Sequence, residues 1–417
     1  FNGEGKHREE TCTPESSLKV LKGVLEDPSH PLLGPTLWGL HRWGMWQTKK
    51  GISQIIYIGI HLFATIFVLT QYIELWYIRS NLEMALRNLS FTMMSTVCVV
   101  KAGTFISWQK NWRSIIEYVS SLEKQQLSKR DDVSKKIIRK YIKYSRTVTY
   151  FYWCLATATV FMVIIAPLVI YWSSPKRRED GTAVYPEIMS SWAPFDKTRG
   201  FGYWIISVVH SLFCFYGGGI VASYDSNAVV LMTFFAGQLE ILKENCEGIF
   251  GDGEEFISYN DAVKRIHECH QHHIYLVKYA KILNSLLSPV MFLYVIICSL
   301  MICASAVQLT TVLLLLDLKI TLYKIMPGAE YLVALVSQLF LYCWHSNESL
   351  SVDEGIYASA WWSQGVRIRR SVALLGGQLN TNVVFNAGPF TKLSVATFVA
   401  IIKGSYSYYT LLSNRGG

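Results

Sequence analysis

Charge is scarce in this chain. Only 17% of its 417 residues are Asp, Glu, Lys or Arg, while 51% are hydrophobic. Globular domains carry about a quarter charged residues, so the deficit excludes an ordinary soluble fold and points to a membrane protein. The nine cysteines are scattered, from Cys12 to Cys343, with no CxxC pair, which argues against a disulfide framework or a redox motif. No Walker loop, GxSxG or HExxH occurs, and the carboxylates gather in polar stretches such as Asp252–Glu255, so neither an enzyme nor a bound cofactor is expected. Internal repeats and low-complexity tracts are also lacking. No basic-then-apolar leader follows Phe1, so no cleavable signal peptide is expected. The net charge of +9 is read as loop charge that orients the protein in a bilayer, with no nucleic-acid partner.

What the chain does have is long apolar runs. A helix needs about 20 apolar residues to cross the hydrocarbon core. Seven stretches qualify: Ile52–Trp76, Met84–Trp108, Thr147–Trp172, Phe201–Tyr224, Leu283–Val312, Ile320–His345 and Thr391–Leu412. Trp76, Trp108, Trp172 and Tyr203 stand at their ends, where amphipathic rings favour the headgroups. Of the 39 Lys and Arg residues, 26 fall in the N-terminal tail and the loops after spans two, four and six, and 10 on the opposite side, counting Arg87 and Lys324 at the outer ends of spans two and six. The positive-inside rule then predicts a cytoplasmic N-terminus. The expected fold class is an all-α membrane protein with seven transmembrane helices and a cytosolic anchor domain.

The predicted organisation is a cytoplasmic N-terminal segment at 1–50, helices one to four at 51–238, and a cytoplasmic helical extension of spans four and five at 239–282. Helices five and six follow at 283–345, then a cytoplasmic anchor helix at 346–390 and helix seven at 391–417. In the anchor, Ile356, Ala360, Trp361 and Val366 recur near helical spacing beside Arg367, Arg369 and Arg370. Two readings stay open for it: packing between the extensions, or a helix lying on the inner leaflet.

Several short motifs, taken together, resemble the insect odorant receptor family over nearly the whole chain. Leu37–Gln47 (LWGLHRWGMWQ) looks like the family's entry to span one, with Gln47 where Pro is usual. Phe235–Cys246 (FAGQLEILKENC), Ile266–Ile274 (IHECHQHHI) and Tyr342-Cys343 before Asn347-Glu348 match its later segments. The C-terminal stretch Asn386–Leu412 resembles the family's signature throughout. The resemblance implies an odorant-gated, non-selective cation channel in the plasma membrane of olfactory sensory neuron dendrites, with four subunits around one pore. It also implies a volatile odorant as ligand, and assembly with a co-receptor subunit or as a homotetramer. The chain lacks the co-receptor's long insertion after span four, so it looks like a tuned, odorant-binding subunit. A G-protein-coupled-type chemoreceptor would need an outside N-terminus, and a small-molecule transporter usually shows paired repeats.

Ser405–Thr410 carries six hydroxyls in a row within the last span. Helical spacing puts Ser407, Thr410, Leu411 and Asn414 on one face, a polar wall with an apolar constriction that suits a pore. The resemblance places Leu411 at the gate and Asn414 just outside it. An aromatic belt formed by the tyrosines is the competing reading. A ligand pocket, by the same resemblance, lies among spans two, three, four and six. Its candidates are Phe91 and Met94; Tyr152, Leu155, Thr159 and Met162; Val209, His210 and Phe213; and Tyr323 and Met326. The same residues would also serve as ordinary helix packing. His210 is an ionisable group within a span, which marks a site or a cavity. Lys101 is read as a side chain that snorkels to the inner interface. The cluster His267, Cys269, His270, His272 and His273 splits over two helix faces, so no metal site is expected.

Overall fold

The computed structural model describes residue 25 and residues 27–47, 51–129, 131–172, 185–197, 200–251, 257–315, 318–347, 352–380 and 383–413. Within these, no side chain is described at 82, 83, 87, 170–172, 307–315, 318–327, 347, 408, 409 or 411–413.

A helix lies in each of the seven predicted spans, though the last begins at Val395 rather than Thr391: α2 (Ile52–Ile78), α3 (Leu82–Ser107), α5 (Asp132–Trp172), α6 (Gly200–Glu247), α7 (Tyr259–Leu315), α8 (Leu318–Asn347) and α11 (Val395–Ser413). Five of them are long and apolar enough, among the described residues, to cross a membrane: α2, α3, α5, α6 and α7. The outward face of α2 shows why: Ile52, Ile55, Leu62, Phe63 and Trp76 are all exposed. Side-chain hydroxyls within the spans are satisfied one turn back, as when Thr157 donates to the Trp153 carbonyl and Ser211 to the Ser207 carbonyl.

The remaining elements gather at the end of the bundle where the long helices extend past the spans. Short helix α1 (Gly34–Arg42) lies against α6. Its Gly39 is required there, because a Cβ would meet the Ser223 hydroxyl at 2.8 Å and the Trp153 ring at 3.0 Å. Helix α4 (Gln109–Ser128) buries Trp112, Ile115, Ile116, Val119 and Glu123, one stripe of an amphipathic helix, against α5 and α7. The end of α6 and the start of α7 share a core in which Cys246, Ile249 and Phe250 join Ala262, Ile266 and Leu276. The span from 346 to 390 is more divided than the single predicted helix. It holds α9 (Asp353–Ala358), a 3-10 turn and α10 (Val366–Leu379). The stripe Ile368, Val372, Leu375 and Leu379 seats α10 on α7.

A two-residue hairpin, β1 (Asn386–Ala387) with β2 (Thr391–Lys392), turns the chain into α11. Gly388 is wedged in place. It has φ of +70°, and a Cβ there would sit 2.6 Å from the Phe292 ring. Its amide donates to the Ser288 carbonyl at 3.0 Å, one residue before Pro289 of α7.

Candidate functional site

A cavity of about 140 Å³ opens among α2, α3, α5, α6 and α8, closed in part by the segment 185–197. Helical spacing explains its lining. Tyr152, Leu155, Thr159 and Val163 lie on one stripe of α5, and α8 adds Tyr331, Leu335 and Gln338 at the same repeat. Phe67 and Phe213 stack with ring centroids 4.0 Å apart on the α2–α6 side, and Phe91 meets Tyr331 at 6.1 Å across the α3–α8 side.

Of the residues expected from the sequence, Phe91, Met94, Tyr152, Leu155, Thr159 and Phe213 line the cavity. Met162 does not, because it precedes Val163 by one residue, a turn of about 100° round the helix. Val209 packs beside Phe67, Ile188 and Met189. His210 is fully buried with its Nε2 2.8 Å from the Ser191 hydroxyl, so it anchors the 185–197 segment. The side chains of Tyr323 and Met326 lie outside the described residues.

Two contributions escaped the sequence reading. Span one supplies Ala64, Phe67 and Val68, and the 185–197 segment supplies Met189. That segment folds in because Trp192 donates its amide to the Thr70 carbonyl at 3.1 Å and Lys197 pairs with Glu74 at 2.8 Å. Sequence periodicity carries no signal for such a return. The polar residues Glu330 and Gln338 in the apolar sixth span were the available clue to its inward face.

Most polar groups on the wall are already engaged. Thr159 donates to Glu330 at 2.7 Å, and the Tyr216 hydroxyl is 2.5 Å from His61 Nδ1. Cys98 contacts the Gly217 carbonyl at 3.6 Å. The Tyr331 hydroxyl is buried with no hydrogen-bond partner among the described residues.

Below the cavity lies an ion pair. Lys101, which the sequence suggests would snorkel, is fully buried and bonds Asp225 at 2.5 Å. The snorkelling reading is thus corrected. Pairing offsets the desolvation cost of an inward-facing ammonium, and Asp225 stands one residue past the predicted end of span four. Tyr152 and Tyr342 donate their hydroxyls to Asp225 at 2.7 and 2.5 Å, and Gln338 donates its amide N–H to the same carboxylate. The ring of Tyr294 lies 4.9 Å from the Lys101 ammonium.

On α11, Ser405 is buried and donates to the Ser299 carbonyl of α7 at 3.3 Å, whereas Ser407 and Lys403 are exposed. Ser407 bonds back to the Lys403 carbonyl and Thr410 to the Ser407 carbonyl. The hydroxyl run therefore splits between an inward and an outward face. The Leu411 side chain and Asn414 lie outside the described residues. In the histidine-rich stretch of α7, His272 meets Gln238 Oε1 at 3.1 Å. Burial lowers the His272 pKa to about 4, so the neutral ring donates to that oxygen. The described residues hold no group of three or more ligands able to bind a metal.

These features define a class: an all-helical membrane protein that encloses an apolar cavity of small-molecule size. The chain belongs to the 7tm Odorant receptor family, whose model matches residues 81–406. Among its relatives, Odorant receptor Or2 of Anopheles gambiae is 29% identical over 149 residues, 35% of this chain and 38% of that protein. Odorant receptor 82a of Drosophila melanogaster is 25% identical over 367 residues, 85% of this chain and 91% of that one. The structure of the insect olfactory receptor OR5 from Machilis hrabei in complex with eugenol matches with a TM-score of 0.73 at 15% identity. The match covers 93% of this chain and 100% of that one, a shared fold.

Proposed function

We propose that this chain is an odorant-gated cation-channel subunit whose ligand occupies the α2–α3–α5–α6–α8 cavity. It is a receptor rather than an enzyme. The carrying observation is the cavity itself: about 140 Å³, walled by Phe67, Phe91, Met94, Phe213 and Leu335, with the unpartnered Tyr331 hydroxyl on its wall. A buried apolar cavity of about 150 Å³ takes up benzene, so the size suits a small volatile. The fitting ligand is an apolar or aromatic molecule with one hydrogen-bonding group for Tyr331. The OR5 receptor of like fold is in complex with eugenol, an aromatic molecule.

The N-terminus lies in the cytoplasm and the protein sits in the dendritic plasma membrane of an olfactory neuron; the Lys and Arg bias between its loops supports the orientation. The chain assembles as a tetramer, with a co-receptor or with itself. Ser407, Thr410, Leu411 and Asn414, which share a face by helical spacing in the sequence, line the pore, and the exposure of Ser407 supports this. Ligand opens the pore by binding the open state more tightly than the closed one.

The test is odorant-evoked current from cells expressing this chain alone and with a co-receptor. Ala334→Phe fills the cavity from α8 and Tyr331→Phe removes the free hydroxyl. Both variants should reach the surface, the first losing the larger odorants and the second raising the EC50 of those with a hydrogen-bonding group. Unchanged odorant ranking in both would place the ligand elsewhere.

A further inference from the structure

Buried ionic groups in a membrane span are costly, and the Lys101–Asp225 pair is among the most enclosed in the chain, with side chains 0% and 2% exposed. A pair serving only to hold helices together needs no link to the cavity, yet this one has two. Tyr152 of α5 and Gln338 of α8 both line the cavity, and both donate to Asp225. A carboxylate only accepts hydrogen bonds, so each of these side chains must turn a donor toward Asp225. Tyr342 and Lys101 fill the remaining positions on the carboxylate, which leaves it with partners from α3, α5 and α8.

We propose that Asp225 is a positioning residue for odorant selectivity: paired with Lys101, it fixes Tyr152 and Gln338 at the inner end of the cavity and so sets which volatiles fit. The inference rests on the cavity being the odorant site. Asp225 itself does not line the cavity; it acts through the two side chains that do. Because one carboxylate holds both, the depth of the cavity is set jointly by α5 and α8. A homologous series of volatiles therefore reads the network directly, since its longer members press against the inner end.

The experiment measures EC50 values for a short and a long homologue, normalised to surface-labelled receptor, in two variants. Tyr152→Phe keeps the ring in the wall and removes one bond to Asp225. Lys101→Met/Asp225→Asn removes both charges together and leaves no unpaired ion. The long-to-short EC50 ratio should shift by about three- to tenfold, the scale of one buried hydrogen bond, in whichever variant reaches the surface. A current that falls equally for all odorants, with the ratio unchanged, overturns the proposal and leaves a structural pair. Tyr331→Phe is measured beside them. If it alters odorant ranking while the ratio holds in the other two, only the positioning role fails. If ranking and ratio hold in all three, the cavity is not the odorant site.

Discussion

Glu123 accepts the backbone amide of Leu32 at 3.0 Å, joining α4 to the segment that precedes α1. Around this contact, His30 Nδ1 lies 2.6 Å from the Ser120 hydroxyl and Arg146 donates to the Pro31 carbonyl at 2.7 Å. The segment before α1 is thus stitched both to α4 and to α5.

That stitch should depend on pH. Burial raises the Glu123 carboxyl from 4.5 to about 7, against the opposing pull of the Leu32 amide, Tyr141 and Arg146. The folded state then keeps a proton that the unfolded state releases, so stability falls as pH rises from about 4.5 to about 7. His30, lowered by burial, works in the opposite sense below 6.5. The difference between wild type and Glu123→Gln isolates the carboxylate. Melting of detergent-solubilised protein should show a downward slope across that window in the wild type that Glu123→Gln flattens.

Lys197 should govern how long ligand stays. It bonds Glu74 at 2.8 Å, Glu187 at 3.3 Å and the Ser191 carbonyl at 2.9 Å, holding the segment that carries Met189 against the cavity. Lys197→Met removes the cation that Glu74 and Glu187 share. It should raise the EC50 for every odorant and speed the decay of current on washout. A washout time equal to wild type would separate this segment from ligand exit.

The two faces of α11 can be told apart by chemistry. Cysteine at Ser407 should react with a water-soluble thiol reagent in the open channel, and cysteine at Ser405, buried against Ser299, should not. Leu411→Ala or Asn414→Ala should shift relative ion permeability. Equal reactivity at 405 and 407, with unchanged permeation, would move the pore to another helix.

Gly388→Ala should be severe for its size. The residue has φ of +70° and no room beside Phe292. The backbone strain alone costs about 1–3 kcal/mol, enough to lower the melting temperature and the surface level. A stable variant would mean that the hairpin before α11 is free to rearrange.

Much of this fold is legible in the sequence because apolar runs and charge bias act over whole segments. The seven helices follow from hydrophobicity alone, and the α5 stripe Tyr152, Leu155 and Thr159 from simple periodicity. What periodicity misses are contacts between distant segments. Nothing local ties Trp192 to Thr70, and nothing in the run around Lys101 announces Asp225 more than a hundred residues later. The lysine alone permits two outcomes, reaching water or finding a carboxylate, and only the packing of α3 against α6 selects the second. Val209 and His210 show the same limit. Their helix faces the site, but the folded 185–197 segment occupies the space in front of them.

The cavity wall has a bearing on timing. A guest held by greasy surfaces and few polar groups gains little beyond its escape from water, and a molecule of ten or so heavy atoms has few such contacts to sum. Its dwell is accordingly brief. An animal tracking a plume broken into filaments gains from a detector that empties between them, and tighter capture would blur one gust into the next.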